Sequence, residues 1–226
     1  MKALVIDAFP PPSFLKMQRV RSCETMDFTT LRKNLEKLGY QVSEFATRAE
    51  AKKYLTGQIQ GKTIGFGGSV TLQEMGLYDA LSENNKVYWH WAVPADKTGK
   101  DMIREAMTSD LYFASVNGLA ETGEIVNIDG NCNRVAATAY GHEKVYFVVG
   151  ENKVAPTLEQ AIDRARNIAA PLNAQRLQRK TPCSAKGDKC YDCDNPERIC
   201  RQLSVFWKKP GNGAYELVLV HEKLGY

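Results

Sequence analysis

The stretch "TIGFGGSVTLQEMGL", residues 63–77, joins a short apolar run to a cluster of glycines and then to a helical pattern. The apolar run is typical of a buried strand, and the glycines allow the following backbone to approach a ligand closely. A helix that begins directly after such a turn offers unpaired N–H groups and the positive end of its dipole, which together bind anions. The stretch therefore predicts an anion-binding turn with these candidate ligand residues: Gly65, Gly67, Gly68, Ser69, Thr71 and Glu74.

Two familiar phosphate motifs do not fit this part of the chain. Val70 stands where the dinucleotide fingerprint G-x-G-x-x-G needs its third glycine. The "GKT" at 61–63 precedes its strand, and Thr56 replaces the first glycine of a P-loop. The glycines are equally compatible with a tight strand-to-helix turn that binds nothing, and this alternative stays open.

Strand-like and helix-like runs alternate along the rest of the chain. The segment "DFTTLRKNLEKLG" has a helical stripe, and Gly39 predicts where that helix ends. The runs "KTIGFG", "KVYWHW", "LYFASV" and "KVYFVV" have the length and composition of buried parallel strands. The pattern predicts an α/β fold with a mostly parallel sheet flanked by helices.

Local motifs add helix starts and hairpins to this fold. Thr47, Thr71 and Thr157 are each followed three residues later by Glu or Gln, which predicts capped helix N-termini. The segment "LSVFWKKPGNGAYELVLV" predicts two strands joined by a hairpin turn at 210–213. The segment "GEIVNIDGNCNRVA" predicts another antiparallel excursion that turns at residues 129–130.

Length, charge and hydropathy exclude several classes of protein. The 226 residues are sufficient for a substantial core, and a net charge of +4 without a basic, aromatic stripe argues against nucleic acid. No apolar run approaches the ~18 residues of a membrane span, and "MKALVIDAF" is too short for a signal sequence. We therefore expect a cytoplasmic protein, with an arm or extra strand at 1–25 and one domain at 26–226.

A second polar stretch is "NGLAETGEIVNIDGN", residues 117–131, which follows a predicted buried strand. Asn117, Glu121 and Asp129 are polar groups near strand ends, where open α/β sheets bind their ligands. The simpler interpretation is that Asn-Gly and Asp-Gly form turns and that Glu121 is a solvated carboxylate.

Four of the six cysteines lie in the polar loop "CSAKGDKCYDCDNPERIC", within a cysteine-rich segment at 181–200. Cys183, Cys190, Cys193 and Cys200 have the spacing C-x6-C-x2-C-x6-C, in which the central pair can share one metal ion. Thiolates are ligands of zinc and of iron–sulfur clusters, and the spacing does not separate the two. Disulfides are the main alternative, but they require an oxidising compartment.

From about Asp27 to Tyr226 the chain resembles the lactate-utilization (LUD) domain family, in particular its single-domain members with a C-terminal cysteine block. The resemblance rests on "GFGGSVTLQEMGL", "NGLAETGEIVNIDGNCNRVA", "KVYFVVGENK", "ARNIAAPLNAQRLQRKTPC" and "KCYDCDNPERIC", in that order. It implies a fold like that of ribose-5-phosphate isomerases, glucosamine-phosphate deaminases and CoA transferases, in which a glycine-rich loop binds anionic groups. Some members of the family take part in lactate oxidation with iron–sulfur and flavin partners.

The resemblance also directs attention to Glu121. In the related CoA transferases a glutamate within a short S-E-N-G turn attacks the acyl group, and "AETG" at 120–123 is similar in form. Thr122 replaces the asparagine, so a positioning or acid–base role is equally open. If Glu121 acts on the ligand, it must lie in the same cleft as Ser69, with Asn117 and Asp129 close by.

Two functions of different classes follow from these features. The first is an enzyme that binds a small anionic ligand (a phosphate, a carboxylate or an acyl-CoA-like molecule), linked to lactate or other organic acids. The second is a non-catalytic partner or sensor that carries zinc or an iron–sulfur cluster and docks to redox proteins. Either is compatible with a homo-oligomer.

Overall fold

The computed structural model of the protein describes residues 26–226; the predicted arm at 1–25 and Cys23 lie outside them. Ten strands occur in this part of the chain: β1 (Gln41–Phe45), β2 (Thr63–Phe66), β3 (Lys86–Trp89), β4 (Leu111–Ala114), β5 (Gly118–Ala120), β6 (Ile125–Asp129), β7 (Lys144–Gly150), β8 (Val154–Ala155), β9 (Gln202–Phe206) and β10 (Ala214–Val220).

The same region contains nine α-helices, together with a 3-10 turn at Glu151–Lys153 and a π-helical segment at Ala165–Ala169. They are α1 (Thr29–Lys37), α2 (Arg48–Gln58), α3 (Val70–Glu74), α4 (Leu77–Ser82), α5 (Gly99–Ala106), α6 (Asn133–Ala139), α7 (Leu158–Arg164), α8 (Ala170–Arg176) and α9 (Pro182–Lys186). None of the helices within 26–226 is long and apolar enough to cross a membrane.

The main sheet has six strands in the order β1-β10-β7-β4-β2-β3, and every neighbouring pair is parallel. The four apolar runs that predicted parallel strands all lie in it, so the α/β prediction is confirmed. Helices pack on both faces and produce two apolar clusters, one around Phe147 and Leu217 and the other around Phe113 and Val218. Full burial of each such large side chain contributes about 1.5–3 kcal/mol.

The first helix and most helix starts agree with the sequence pattern. Phe28, Leu31 and Leu35 are buried, and Gly39 ends the helix at a φ of +92°. Thr47 forms the predicted capping box of α2. The predicted cap at Thr71 is wrong, because the N-cap of α3 is Ser69, two residues earlier.

A smaller sheet has the strand order β8-β5-β6-β9, and its Leu119 and Ile125 belong to the same apolar cluster as Phe147 and Leu217. The predicted hairpin between β9 and β10 is wrong, because β9 pairs antiparallel with β6 whereas β10 lies between β1 and β7 in the main sheet. Residues 215–220 of β10 are all buried. A strand that is apolar on both faces is stable in the middle of a covered parallel sheet, so the chain crosses between sheets instead of turning back.

The antiparallel excursion exists, but its turn lies earlier than predicted. β5 and β6 pair antiparallel around the turn at 121–124, where the Gly123 N–H donates to Ala120 O. Residues 129–130 instead end β6 and lead into α6. The Asp129 carboxylate accepts from the Val135 N–H in the first turn of that helix. This bond stabilises the start of α6, so residues 129–130 do not form the predicted hairpin turn.

α7, the π-helical segment and α8 form one continuous helical rod with an irregular middle turn. Pro171 occupies the first turn of α8 and has no N–H to donate to the preceding turn. A missing donor interrupts the i→i−4 ladder, and π-helical turns are a common response to such an interruption. The irregular turn sets the direction of α8, whose side chains reach the candidate site.

Candidate functional site

A cleft of about 530 Å³ lies beyond the carboxyl ends of β2, β4 and β7. Open α/β sheets bind ligands at this edge, because loops from several strands converge there. The cleft is lined by the turn at 68–71, the segment 115–117 after β4, Lys153 after β7, and residues 128–131 and 133–134. One face of α8, residues 196–199 of the cysteine-rich segment and Arg201 complete the lining.

The glycine turn supplies one wall of this cleft. The Gly67 N–H donates to Phe113 O at 2.9 Å, which ties the turn to β4. The N–H groups of Gly68, Ser69 and Val70 have no acceptor within residues 26–226. A Cβ at Gly68 would lie 3.2 Å from His90 Nε2, so a side chain there would crowd the cleft wall.

The other predicted residues of this stretch have structural contacts. A Cβ at Gly65 would lie 2.7 Å from Ser109 Oγ, and this glycine lets α5 and the following loop pack against β2. Gly67 faces Arg134 and Tyr112. The Glu74 carboxylate accepts from the Gly225 N–H at 2.8 Å and is not among the described residues that line the cleft.

Asn117 and Asp129 line the cleft on either side of Arg134. Arg134 Nη2 donates to Asn117 Oδ1 at 3.1 Å and to Ile128 O at 2.7 Å, and its Nε lies 3.7 Å from Asp129 Oδ2. Arg134 also bonds Asn127, which is buried beside it. The guanidinium therefore joins the ends of β4 and β6 into one rigid wall.

The structure does not bring Glu121 into this group. Asn117 precedes β5 and Glu121 follows it, so the two lie at opposite ends of a strand, about 13 Å apart at 3.3 Å per residue. The Glu121 N–H donates to Ala155 O, and its carbonyl accepts from Asn34 in α1 at 2.8 Å. Glu121 is absent from the lining residues found within 26–226.

Lys153 lines the cleft and was not singled out from the sequence. Its side chain is only 3% exposed, and Nζ donates to Thr71 Oγ1 at 2.8 Å and to Ser115 Oγ at 2.9 Å. Burial, reinforced by the nearby Arg164 and Arg134, lowers the pKa of Lys153 to about 7. The strand-end rule that selected Asn117 applies equally to a lysine just beyond β7, and this signal could have found it.

The walls of the cleft are strongly cationic. Six basic side chains line it against the two carboxylates of Asp129 and Glu197. The six are Arg134, Lys153, Arg176, Arg179, Arg198 and Arg201. Arg176 lies over the Trp91 ring at 4.6 Å, which keeps this guanidinium at the mouth of the cleft.

Residues 222–226 close one side of the site. The Leu224 carbonyl accepts from the Thr71 hydroxyl at 3.2 Å, and Asn152 bonds both the Leu224 N–H and the Gly225 carbonyl. The Tyr226 hydroxyl accepts from Arg176 Nε at 2.8 Å. The chain near its end therefore holds both the glycine turn and α8 in place.

The four cysteines predicted to bind a metal are not among the described residues that line the cleft, although Cys200 lies between the lining residues Ile199 and Arg201. Each is partly exposed and free; Cys183 lies in α9 and the other three in the loop that follows. The Asp192 N–H donates to Cys190 Sγ at 3.3 Å, and Thr181 Oγ1 lies 3.3 Å from Cys183 Sγ. Among the described residues no three His, Cys, Asp or Glu side chains are grouped closely enough to hold a metal. The arrangement therefore does not fit zinc or a cluster as it stands, and a metal here stays a prediction from spacing and resemblance.

No protein of curated function matches the chain. Among solved structures, a DUF162 family protein from Deinococcus radiodurans is similar, with 10% sequence identity, coverage of 84% of this chain and 94% of that chain, and a TM-score of 0.48. The sequence profile of the LUD domain matches residues 29–220, which is most of the chain, and the resemblance noted in the sequence is thereby confirmed. The chain belongs to the LUD-domain family.

Proposed function

We propose that the cleft binds a small anionic ligand that carries a phosphate or carboxylate group, and that the protein is an enzyme acting on it. The observation that carries this proposal is the imbalance of charge in the cleft, six basic side chains against two carboxylates. Both carboxylates already have partners, since Asp129 bonds the N–H groups of Gly130 and Val135 and Glu197 accepts from the Lys180 N–H.

The glycine turn adds directed donors to this general attraction. Three successive residues, Gly68 to Val70, present N–H groups without a described acceptor at the wall of the cleft. An anion in contact with them would receive hydrogen bonds that need no side-chain ordering, and charge-assisted bonds of this kind are about twice as strong as neutral ones. The volume of about 530 Å³ is within the range of sites for small metabolites.

The family resemblance narrows the ligand class. The association of some LUD proteins with lactate oxidation favours a hydroxy acid or a related organic acid. The glycine turn and the related folds favour a phosphate ester. Both ligands carry the negative charge that the cleft selects, so competition between them at one site is the expected behaviour.

Isothermal titration calorimetry with inorganic phosphate, pyrophosphate and lactate tests this proposal. Arg179 lines the cleft, and its side chain has no hydrogen-bond partner within 26–226, so Arg179→Ala removes a ligand contact with little structural cost. We expect it to weaken anion binding roughly three- to tenfold, because an exposed guanidinium contributes about 1 kcal/mol to an anion.

Arg104→Ala is the matched control, because Arg104 lies on α5 with its side chain 80% exposed and is not a cleft residue. This variant removes the same charge and is expected to leave anion affinity within twofold of wild type. If the wild type binds none of the three anions at millimolar concentration, or if both variants weaken binding equally, the cleft is not the anion site.

A further inference from the structure

We propose that Lys153 is the reactive amine of the cleft and that it forms an imine with a carbonyl group of the bound anionic ligand. This inference rests on the proposed anion site, because the anionic group would bring the carbonyl to the lysine. It goes beyond that site by assigning a covalent step and a ligand that contains an aldehyde or ketone.

The hydrogen bonds around Lys153 leave one of the three positions on its nitrogen without a partner. The Thr71 hydroxyl donates its proton to Leu224 O at 3.2 Å, and the Ser115 hydroxyl donates to Val148 O at 2.6 Å. Both hydroxyls can therefore only accept from Lys153 Nζ, at 2.8 and 2.9 Å. A neutral amine has two N–H groups and one lone pair. The two hydroxyls take both N–H groups, so the lone pair is the position left for the cleft.

The charges that surround Lys153 favour the neutral form. No carboxylate within 26–226 forms an ion pair with Nζ, although this side chain is 97% buried. The charged groups that act on it are the cations Arg164 and Arg134, which lower its pKa, and Glu74, which opposes them more weakly. A buried lysine near other cations is the arrangement that makes an amine nucleophilic at neutral pH.

Lys153 contacts Thr71, which belongs to the glycine turn, so the amine and the N–H donors of the turn lie at the same part of the cleft. Thr71 belongs to the first turn of α3, directly after the three unpaired N–H groups, and its hydroxyl bonds Lys153. A ligand whose anionic group and carbonyl group are a few bonds apart can reach the turn and the amine together. Lactate lacks a carbonyl group of this kind, so a keto or aldehyde compound is the expected ligand of the covalent step.

The step balances without an oxidant or a second substrate. The Lys153 lone pair forms a C–N bond to the carbonyl carbon, while the C=O π electrons move to oxygen, which takes up a proton. The resulting carbinolamine loses its hydroxyl group as water, and the nitrogen ends with a C=N bond after giving up both of its protons. The imine withdraws electrons from the adjacent carbon when it is protonated, which is the usual purpose of a lysine imine.

Pyridoxal 5′-phosphate is a suitable probe, because it carries an aldehyde and a phosphate on one small ring. Wild-type protein is incubated with substoichiometric probe at pH 7.5, the imine is reduced with borohydride, and the labelled peptide is identified by mass spectrometry. At this pH about three-quarters of an amine of pKa 7 is neutral, against about 0.1% for an ordinary lysine. We expect Lys153 to be labelled at least tenfold faster than any exposed lysine, and inorganic phosphate to slow the labelling.

Lys153→Arg cannot form an imine and should lose the fast label, whereas Lys100→Arg, at an exposed position on α5, should keep it. The wild-type labelling pattern needs no variant, so the test does not depend on whether Lys153→Arg folds. Phosphate binding by calorimetry together with labelling spread evenly over surface lysines overturns the imine and leaves the anion site standing. Fast labelling of Lys153 that phosphate does not slow supports the reactive amine and contradicts the anion site.

Discussion

Lys153 Nζ and the Thr71 hydroxyl are 82 residues apart in sequence and lie 2.8 Å apart in space. Thr71 comes from the turn after β2, and Lys153 from the 3-10 turn after β7. β4 lies between these two strands in the main sheet, and its continuation supplies the second partner, Ser115. Three parallel strands thus place one residue each at a single point at the floor of the cleft.

The first prediction concerns how stability depends on pH. Burial lowers the pKa of Lys153 from its usual value to about 7, so between pH 7 and about pH 10 the unfolded chain binds a proton that the folded protein lacks. Stability therefore rises with pH in this window, by up to a few kcal/mol. Urea unfolding of wild type and Lys153→Met at pH 7, 8.5 and 10 measures it. The difference between the two curves isolates Lys153, and a difference that stays constant contradicts the burial of this amine.

The second prediction separates a packing glycine from a site glycine. Gly65→Ala places a Cβ against the Ala106 carbonyl and Ser109, which are fixed, so we expect a loss of about 2 kcal/mol in the free energy of unfolding. The nearest atoms to the Cβ of Gly68→Ala belong to the His90 and Trp91 side chains, at 3.2–3.3 Å, so the loss should stay below about 1 kcal/mol. Gly68→Ala should instead weaken phosphate binding about fivefold, because it shifts the turn that carries the N–H donors. Denaturant melts and calorimetry on both variants check the pair, and the reverse pattern would place Gly65 in the ligand site.

The third prediction compares two carboxylates that the sequence had placed together. Glu121→Gln should leave phosphate affinity and Lys153 labelling within twofold of wild type, because Glu121 lies at the far end of β5 from the cleft. Asp129→Asn changes the partner of Arg134 and of the Val135 N–H, so we expect it to alter anion affinity several-fold. Equal effects of the two variants would show that Glu121 reaches the ligand by a movement of the β5–β6 turn.

The fourth prediction concerns the cysteine-rich loop. The spacing of Cys183, Cys190, Cys193 and Cys200 predicts one zinc ion or about four irons per chain in protein purified without oxygen. Metal analysis and an absorption spectrum distinguish the two. Metal binding would require the loop to draw its sulfurs together from the positions described, so Cys193→Ser should release the metal. Metal-free protein in which all four thiols react at once with a thiol reagent contradicts the prediction.

The sequence determined the elements that depend on local pattern. Each of three features could be predicted from about fifteen residues or fewer: the apolar stripe of α1, the four apolar strands, and the glycine turn after β2. Helical periodicity, strand length and the backbone freedom of glycine are all local properties of the sequence. The order of several such blocks along the chain also indicated the family, and the LUD domain profile matches residues 29–220.

The tertiary structure decided which elements pair and which side chains meet. The sequence pattern predicted a hairpin of β9 and β10. In the structure β10 lies between β1 and β7, where both of its faces are buried. Glu121 and Asn117 are four residues apart in sequence and were predicted to lie in one site, but β5 runs between them and places them at its opposite ends. Lys153 and Thr71 are far apart in sequence and form one site, because parallel strands bring their carboxyl ends to the same edge. Contacts of that kind depend on strand order, and strand order is set by the burial of whole surfaces that no single stretch of sequence contains.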